Sequence, residues 1–146
     1  MKKILAAASA FFSIGSGIAA LDAAAQGGAT RKLVSVRAPS HDPLFVDMAS
    51  VQRRGADVTF KYVLDVLVEF EGKTGWKSNE VEATIDCAQK TYAVRRVVAY
   101  PGPRATGTAT GVHSFMTPAP KPEKIAPRST FAHLESHLCS NGASSG

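Results

Sequence analysis

From Val58 the chain alternates. Val58, Phe60, Tyr62, Leu64, Val66, Val68 and Phe70 are apolar, and Thr59, Lys61, Val63, Asp65, Leu67, Glu69 and Glu71 fall between them. A period of two over this length predicts a β-strand, because successive side chains of an extended chain point to opposite faces. Strands usually stop by about 10 residues, so the pattern predicts either one long bent strand or a break near Asp65. The mostly polar alternates predict one covered sheet face and one largely wet face, the habit of antiparallel sheets. Residues 72–79, with Gly75 and Trp76, interrupt the pattern as a loop. Alternation returns with Val81, Ala83, Ile85 and Cys87 against Glu80, Glu82, Thr84 and Asp86, a phase that turns Cys87 to the core. Residues 91–100 are rich in β-formers and pair back through a hairpin at residues 88–90, with a bulge where the phase slips at Arg95 and Arg96.

The rest of the chain carries weaker patterns. Residues 32–37 predict a first strand and residues 44–46 a short second one that ends at Asp47; residues 48–54 read as a connector, with Gly55 marking the next turn. Residues 101–111 hold Pro, Gly, Thr and Ala without apolar period, which predicts a mobile loop, and residues 112–116 a last short strand. Pro118, Pro120 and Pro122 force an extended connection that lacks ladder donors, with Ile125 as its core anchor. Ser129 has the chemistry of a helix N-cap. A helix over 130–138 places Phe131, Leu134, Leu138 and Cys139 on one face, with Glu135 inside that arc. The fold class is therefore α+β, an antiparallel sheet of about five or six strands with one C-terminal helix disulfide-linked to it.

The disulfide follows from the N-terminus. Lys2 and Lys3, an apolar run over 4–18 and the small residues Ala23, Ala24 and Ala25 before Gln26 have the three parts of a secretory signal. Ser9, Ser13, Gly15, Ser16 and Gly17 dilute that run, which falls short of the roughly 20 apolar residues a membrane span needs. The organisation expected is a signal peptide over 1–25 cleaved near Ala25, a flexible leader over 26–31, one domain over 32–140 and a disordered tail over 141–146. The protein is then periplasmic or secreted, without a membrane span after cleavage. No cysteine stands near the cleavage site to take a lipid. Oxidising surroundings and two cysteines leave one intramolecular pairing, Cys87 with Cys139. Two free thiols or a zinc site are the alternatives, and a single pair of sulfurs without nearby paired histidines is a poor zinc site. A staple of that span is worth about 4 kcal/mol to a domain of this size.

Charge narrows the partners. The whole chain carries +5, and without residues 1–25 it keeps 15 basic and 11 acidic residues, or +4. So weak a field would favour an anionic envelope component, with a solvated surface that has no partner as the plainer reading; the partner expected is a protein or an anionic envelope component. Nucleic acid is a poor candidate, since export removes the chain from it and no recognition motif is present.

Several strings carry a family likeness. Phe45-Val46-Asp47 is followed by Ser50-Val51-Gln52-Arg53, then by the alternating strand from Val58 and by Ser78 before a strand ending Ile85-Asp86-Cys87. Tyr92 stands near Arg95, Tyr100 precedes a Gly-containing loop, and Ile125-Ala126-Pro127-Arg128-Ser129 leads into a helix ending Leu138-Cys139. In this order, across about residues 45–139, the chain resembles the surface-adhesin E-like family of secreted bacterial proteins. The resemblance implies an antiparallel sheet with a disulfide-linked C-terminal helix, and an adhesin that binds host matrix and plasma proteins. The chain departs from the pattern in lacking the lipobox of surface-anchored members, and a tryptophan in the first strand or before the Pro-Arg-Ser corner.

Candidate site residues are few. Trp76, in a Gly-flanked loop, is either a contact candidate for a protein or glycan or a side chain packed over the sheet edge. Arg53, Arg54, Arg95 and Arg96 form two basic pairs that would hold a phosphate or carboxylate if the fold brought them together, and the plainer reading is exposed strand residues, some paired with Glu80 or Glu82. His133 and His137, a helical turn apart, are a weak metal pair. Glu135 between them does not meet the H-E-x-x-H pattern, and a solvated helix face is the plainer reading. No nucleophile elbow, phosphate-cradling loop or nucleotide fingerprint appears, so neither catalysis nor a cofactor is expected. A binding module using the wet sheet face, the Trp76 loop and the 101–111 loop is the first expectation; a small envelope hydrolase or inhibitor is the alternative.

Overall fold

The alternating segment becomes β3, Asp57–Asp65, and hairpins on either side of it build the sheet. The structure, a computed structural model, describes residues 30–37, 43–66, 75–114 and 118–140. Strands β1 (Leu33–Val36), β2 (Leu44–Arg54), β3, β4 (Ser78–Asp86), β5 (Thr91–Tyr100) and β6 (Gly111–Ser114) lie side by side in chain order, every pair antiparallel. The two-residue β7, Glu123–Lys124, brings the sheet to 7 strands by pairing with Thr91 and Tyr92 of β5. Helix α1, Thr130–Ser140, follows. All these elements belong to the unit spanning residues 31–146.

Of the two forms open to the alternating segment, the break is the one adopted. β3 stops at Asp65, and Val66 donates its N–H to the Lys77 carbonyl at 2.8 Å. Residues 67–70, where the alternation continues, lie outside the described residues.

One sheet face makes the core. Leu44, Val46, Val58, Phe60, Tyr62, Val81, Ala83 and Ile85 are buried there together with Leu134 and Leu138 of α1. Eleven residues of helix are marginal in water alone, so this apolar stripe must hold it. Burying each leucine contributes roughly 1.5–3 kcal/mol. The Ser129 hydroxyl accepts the Ala132 N–H at 3.1 Å, which is the expected N-cap. Phe131 stacks on Tyr92 at 3.7 Å and meets Tyr62 edge-on at 5.9 Å. Glu135, which interrupts the apolar arc, is met by Lys90 Nζ at 3.3 Å. At the helix C-terminus Cys139 bonds Cys87 with a Cα separation of 5.8 Å, and the Arg53 guanidinium donates to the Leu138 carbonyl. The staple and Arg53 thus anchor the end of the helix that has no further turn to hold it.

Three local expectations are corrected. Residues 48–54 are not a connector but the second half of β2. The register slips between Asp47↔Lys61 and Gln52↔Thr59, and side chains bridge the slip. The Asp47 carboxylate accepts the N–H groups of Lys32 (2.9 Å) and Ala49 (3.1 Å), while the Ser50 hydroxyl donates to the Asp47 carbonyl and accepts the Lys61 N–H. Because those polar groups stay paired, the strand resumes beyond the irregularity. The helix also runs two residues past Leu138, to Ser140. Finally, the second sheet face is not wet along its whole length. At the end where β3 stops and β4 begins, Val63, Ser78, Glu80 and Val98 are buried. The bulge in β5 is where the phase slipped: Glu82 pairs Arg96 and Ala83 pairs Val94, leaving Arg95 as the extra residue.

Candidate functional site

What covers that second face is the segment expected to be a mobile loop. Residues 101–107 fold back over the sheet end through a tight turn at Pro103–Ala105, with Ala105 only 2% exposed. Ser78, 0% exposed, holds it: the hydroxyl donates to the Gly102 carbonyl at 2.6 Å and accepts the Ala105 N–H at 2.9 Å. Gly102 and Thr106 close the loop on themselves through Gly102 N–H to Thr106 O, at 3.1 Å. A Cβ on Gly102 would stand 2.9 Å from that same Thr106 oxygen, so the turn requires glycine there. Asp65 accepts the Arg104 N–H at 2.7 Å, and Arg31 donates to the Ala105 carbonyl at 2.9 Å. Four fastenings from three other segments make this a rigid platform.

The same bonds fix two consecutive residues in the left-handed region, Arg104 at φ 52 and Ala105 at φ 56. Left-handed backbone costs a residue with a Cβ roughly 1–2 kcal/mol. The Arg104 guanidinium lies over the Phe45 ring at 5.4 Å, and Arg104 itself is exposed.

Beneath the platform sits a charge cluster. Glu80, 7% exposed, receives Arg31 at 2.8 Å and Lys61 at 3.7 Å. Arg31 also lies over the Tyr100 ring at 5.5 Å and donates to its hydroxyl at 3.3 Å. Burial alone would lower the Arg31 pKa, but the Glu80 carboxylate and Tyr100 outweigh it and leave it raised, so the guanidinium stays charged. The two cations compensate the charge of this enclosed carboxylate.

The Trp76 loop belongs to the same end. Lys77 donates its N–H to the Tyr100 carbonyl at 2.9 Å and accepts that of Val66, next to the Asp65 that holds Arg104. Trp76, 36% exposed, therefore adjoins the platform in the fold although 25 or more residues separate them in the chain. Backbone bonds thus bring two segments named separately from the sequence to one end of the sheet.

The other candidates are dispersed. Arg53 and Arg54 end β2, Arg95 and Arg96 lie in β5, and β3 and β4 stand between. At about 4.8 Å per strand the pairs are roughly 14 Å apart across the sheet, and they form no joint anion site. Arg53 is bonded to Leu138 O, Arg95 approaches Glu82 at 4.0 Å, and Arg54 and Arg96 are exposed. His133 and His137 share α1 and are both half-buried; among the described residues no group of three His, Cys, Asp or Glu is placed to hold a metal ion. A cavity of about 740 Å³ lies beside β5, between Tyr92, Val94 and Val97 and the extended strap at Pro118 and Pro120. Residues 109–114, the end of the expected loop and β6, are exposed, including Val112. No helix among the described residues is long and apolar enough to cross a membrane.

Arg31, Ser78 and Arg104 were not singled out as site residues by sequence. Their contacts are long-range, and only Tyr100 before a Gly-containing loop and Ser78 before a strand hinted at the place.

Comparison with known proteins identifies the family and the fold. A family model described as surface-adhesin protein E matches residues 33–140. The crystal structure of protein E from non-typeable Haemophilus influenzae superposes with a TM-score of 0.56 at 14% identity, covering 76% of this chain and 78% of that one. A second crystal form of Haemophilus influenzae protein E gives 0.53 at 15% identity, covering 67% and 80%. At such identities the structural likeness is one of fold. A comparison with curated protein sequences finds no match.

Proposed function

The chain belongs to the surface-adhesin protein E family, and from that membership we propose that it is an extracytoplasmic binding module that acts without catalysis. Residues 1–25 are its export signal, removed near Ala25, and the stapled domain works in the periplasm or beyond it. Its partner is a protein or an anionic component of the envelope. Trp76 and the 101–107 platform form the contact surface. The observation that carries this reading is the convergence of those two loops on Asp65 and Val66 at one end of a rigid sheet. Binding residues concentrate on loops held by a scaffold, and a platform already ordered loses little entropy when it docks.

Capture from envelope extract tests the proposal, using the exported chain and its Trp76→Ala variant side by side. A partner retained in a saturable way by the first and lost by the second is the expected result. Recovery of the same abundant proteins by both would end it.

A further inference from the structure

The loop end has a chemistry more specific than contact area. Three of its residues are Trp76, Tyr100 and Arg104, and Trp, Tyr and Arg are the types that dominate the energetics of protein interfaces. Its electrostatics are lopsided. Glu80 is more than balanced by Arg31 and Lys61, and Asp65 keeps its charge while one of its oxygens accepts the Arg104 N–H, so with Arg104 these five groups are left with one positive charge in excess. Arg104, by contrast, makes no ion pair among the described residues; its guanidinium rests on the Phe45 ring. A guanidinium supported on an aromatic face presents a planar set of donors that matches a carboxylate in two parallel hydrogen bonds.

The backbone beneath it is strained toward that task. Arg104 and Ala105 both take left-handed conformations that glycine would adopt without strain, and the platform holds them there through Ser78, Asp65 and Arg31. Non-glycine residues in this region persist where surrounding structure over-determines them, and such residues cluster at functional sites. A turn needing only its shape would be better served by glycine at position 104.

We propose that Arg104 receives a carboxylate of an acidic protein segment, with Trp76 and Tyr100 packing on the apolar part of the same segment. This rests on the binding-module reading and narrows it to one partner chemistry and one anchoring residue. An acidic polysaccharide offers carboxylates too, but the Trp, Tyr and Arg composition favours a protein partner, and the two are separated by experiment.

Trp76 is the chain's one tryptophan and so reports on its own surroundings. Its fluorescence is followed while an oligoglutamate peptide, and separately a polygalacturonate, is titrated into the exported protein. The Arg104→Gly variant removes the guanidinium yet suits the left-handed backbone, and its thermal unfolding controls for an intact fold. The expected result is a saturable change with oligoglutamate that weakens as salt rises and falls in affinity about tenfold in Arg104→Gly. Arg104→Lys, which keeps the charge without the fork, falls between. Equal affinity of Arg104→Gly and the natural protein, tighter binding of polygalacturonate than of oligoglutamate, or no saturable change would each overturn the inference. Were an envelope partner captured equally well by the natural protein and Arg104→Gly, the binding-module reading would stand and this one would fall.

Discussion

Replacing Ser78 by alanine should loosen the platform without touching its surface. The Ser78 hydroxyl is the bonding partner of both the Gly102 carbonyl and the Ala105 N–H, at 2.6 and 2.9 Å, and Ser78 is fully buried. A buried polar group deprived of its partner costs about 1–3 kcal/mol. Two such groups set an upper figure near 6 kcal/mol, but a loop at the sheet end can lift and let water reach them. The remaining cost is then the lost packing of Ala105 and the lost order of residues 101–107, so we expect a loss of about 2–4 kcal/mol. Urea unfolding followed by Trp76 fluorescence measures it, and hydrogen exchange locates it. Exchange at Arg104, Ala105 and Thr106 should quicken far more than at Phe60 or Ile85. A loss under about 0.5 kcal/mol, typical of a featureless surface site, would refute the view of Ser78 as the fastening of the platform.

Three further outcomes follow from other contacts. Cys87→Ala with Cys139→Ala removes a link across 52 residues and should lower stability by about 4 kcal/mol on the loop-entropy estimate, with exchange at Leu134 and Leu138 rising first; equal denaturation midpoints with and without the link would contradict it. Gly102→Ala puts a methyl group against Thr106 and should destabilise the platform by about 1–3 kcal/mol in the same urea assay, whereas a neutral result would mean that the turn is open. Burial raises the Tyr62 pKa well above its ordinary value of 10.0, so the folded state keeps the proton longer than the unfolded chain. That contribution is fully present below about pH 10 and is lost as pH rises, at roughly 1.4 kcal/mol per unit. Tyr62→Phe should flatten the decline in an alkaline stability series, and an unchanged slope would show that Tyr62 is not its source.

Elements set by near neighbours in sequence were the legible ones. The period of two from Val58 and again from Val81, the Ser129 cap, the apolar stripe of Phe131, Leu134 and Leu138, and the lone cysteine pair each follow from local stereochemistry or counting. The bulge at Arg95 showed as a slip of phase. Features settled by distant partners were not legible. The Pro and Gly of residues 101–107 suit a free loop and a fastened one equally; Ser78 and Asp65, which decide between them, lie 27 and 39 residues away from their partners. β2 continues past Asp47 because Asp47 and Ser50 bridge the irregularity with side chains, and no periodicity encodes that. Arg53 looked like a surface cation, and the helix carbonyl it meets is 85 residues on. The prolines around Glu123 and Lys124 hid β7, which survives as two residues at the sheet's edge. For the site, sequence supplied Trp76 and the Gly-containing loop but not their adjacency, which arises where β3, β4 and β5 end together.

Site-directed photo-crosslinking tests the loop end as the binding surface most directly. A photo-reactive phenylalanine replaces Trp76 in the protein, and in a second variant replaces the exposed Ser136 on α1. Illumination of intact cells or of their envelope should give a discrete covalent partner from position 76 and none from position 136. The same adduct from both positions, or an adduct from position 136 alone, would contradict the assignment.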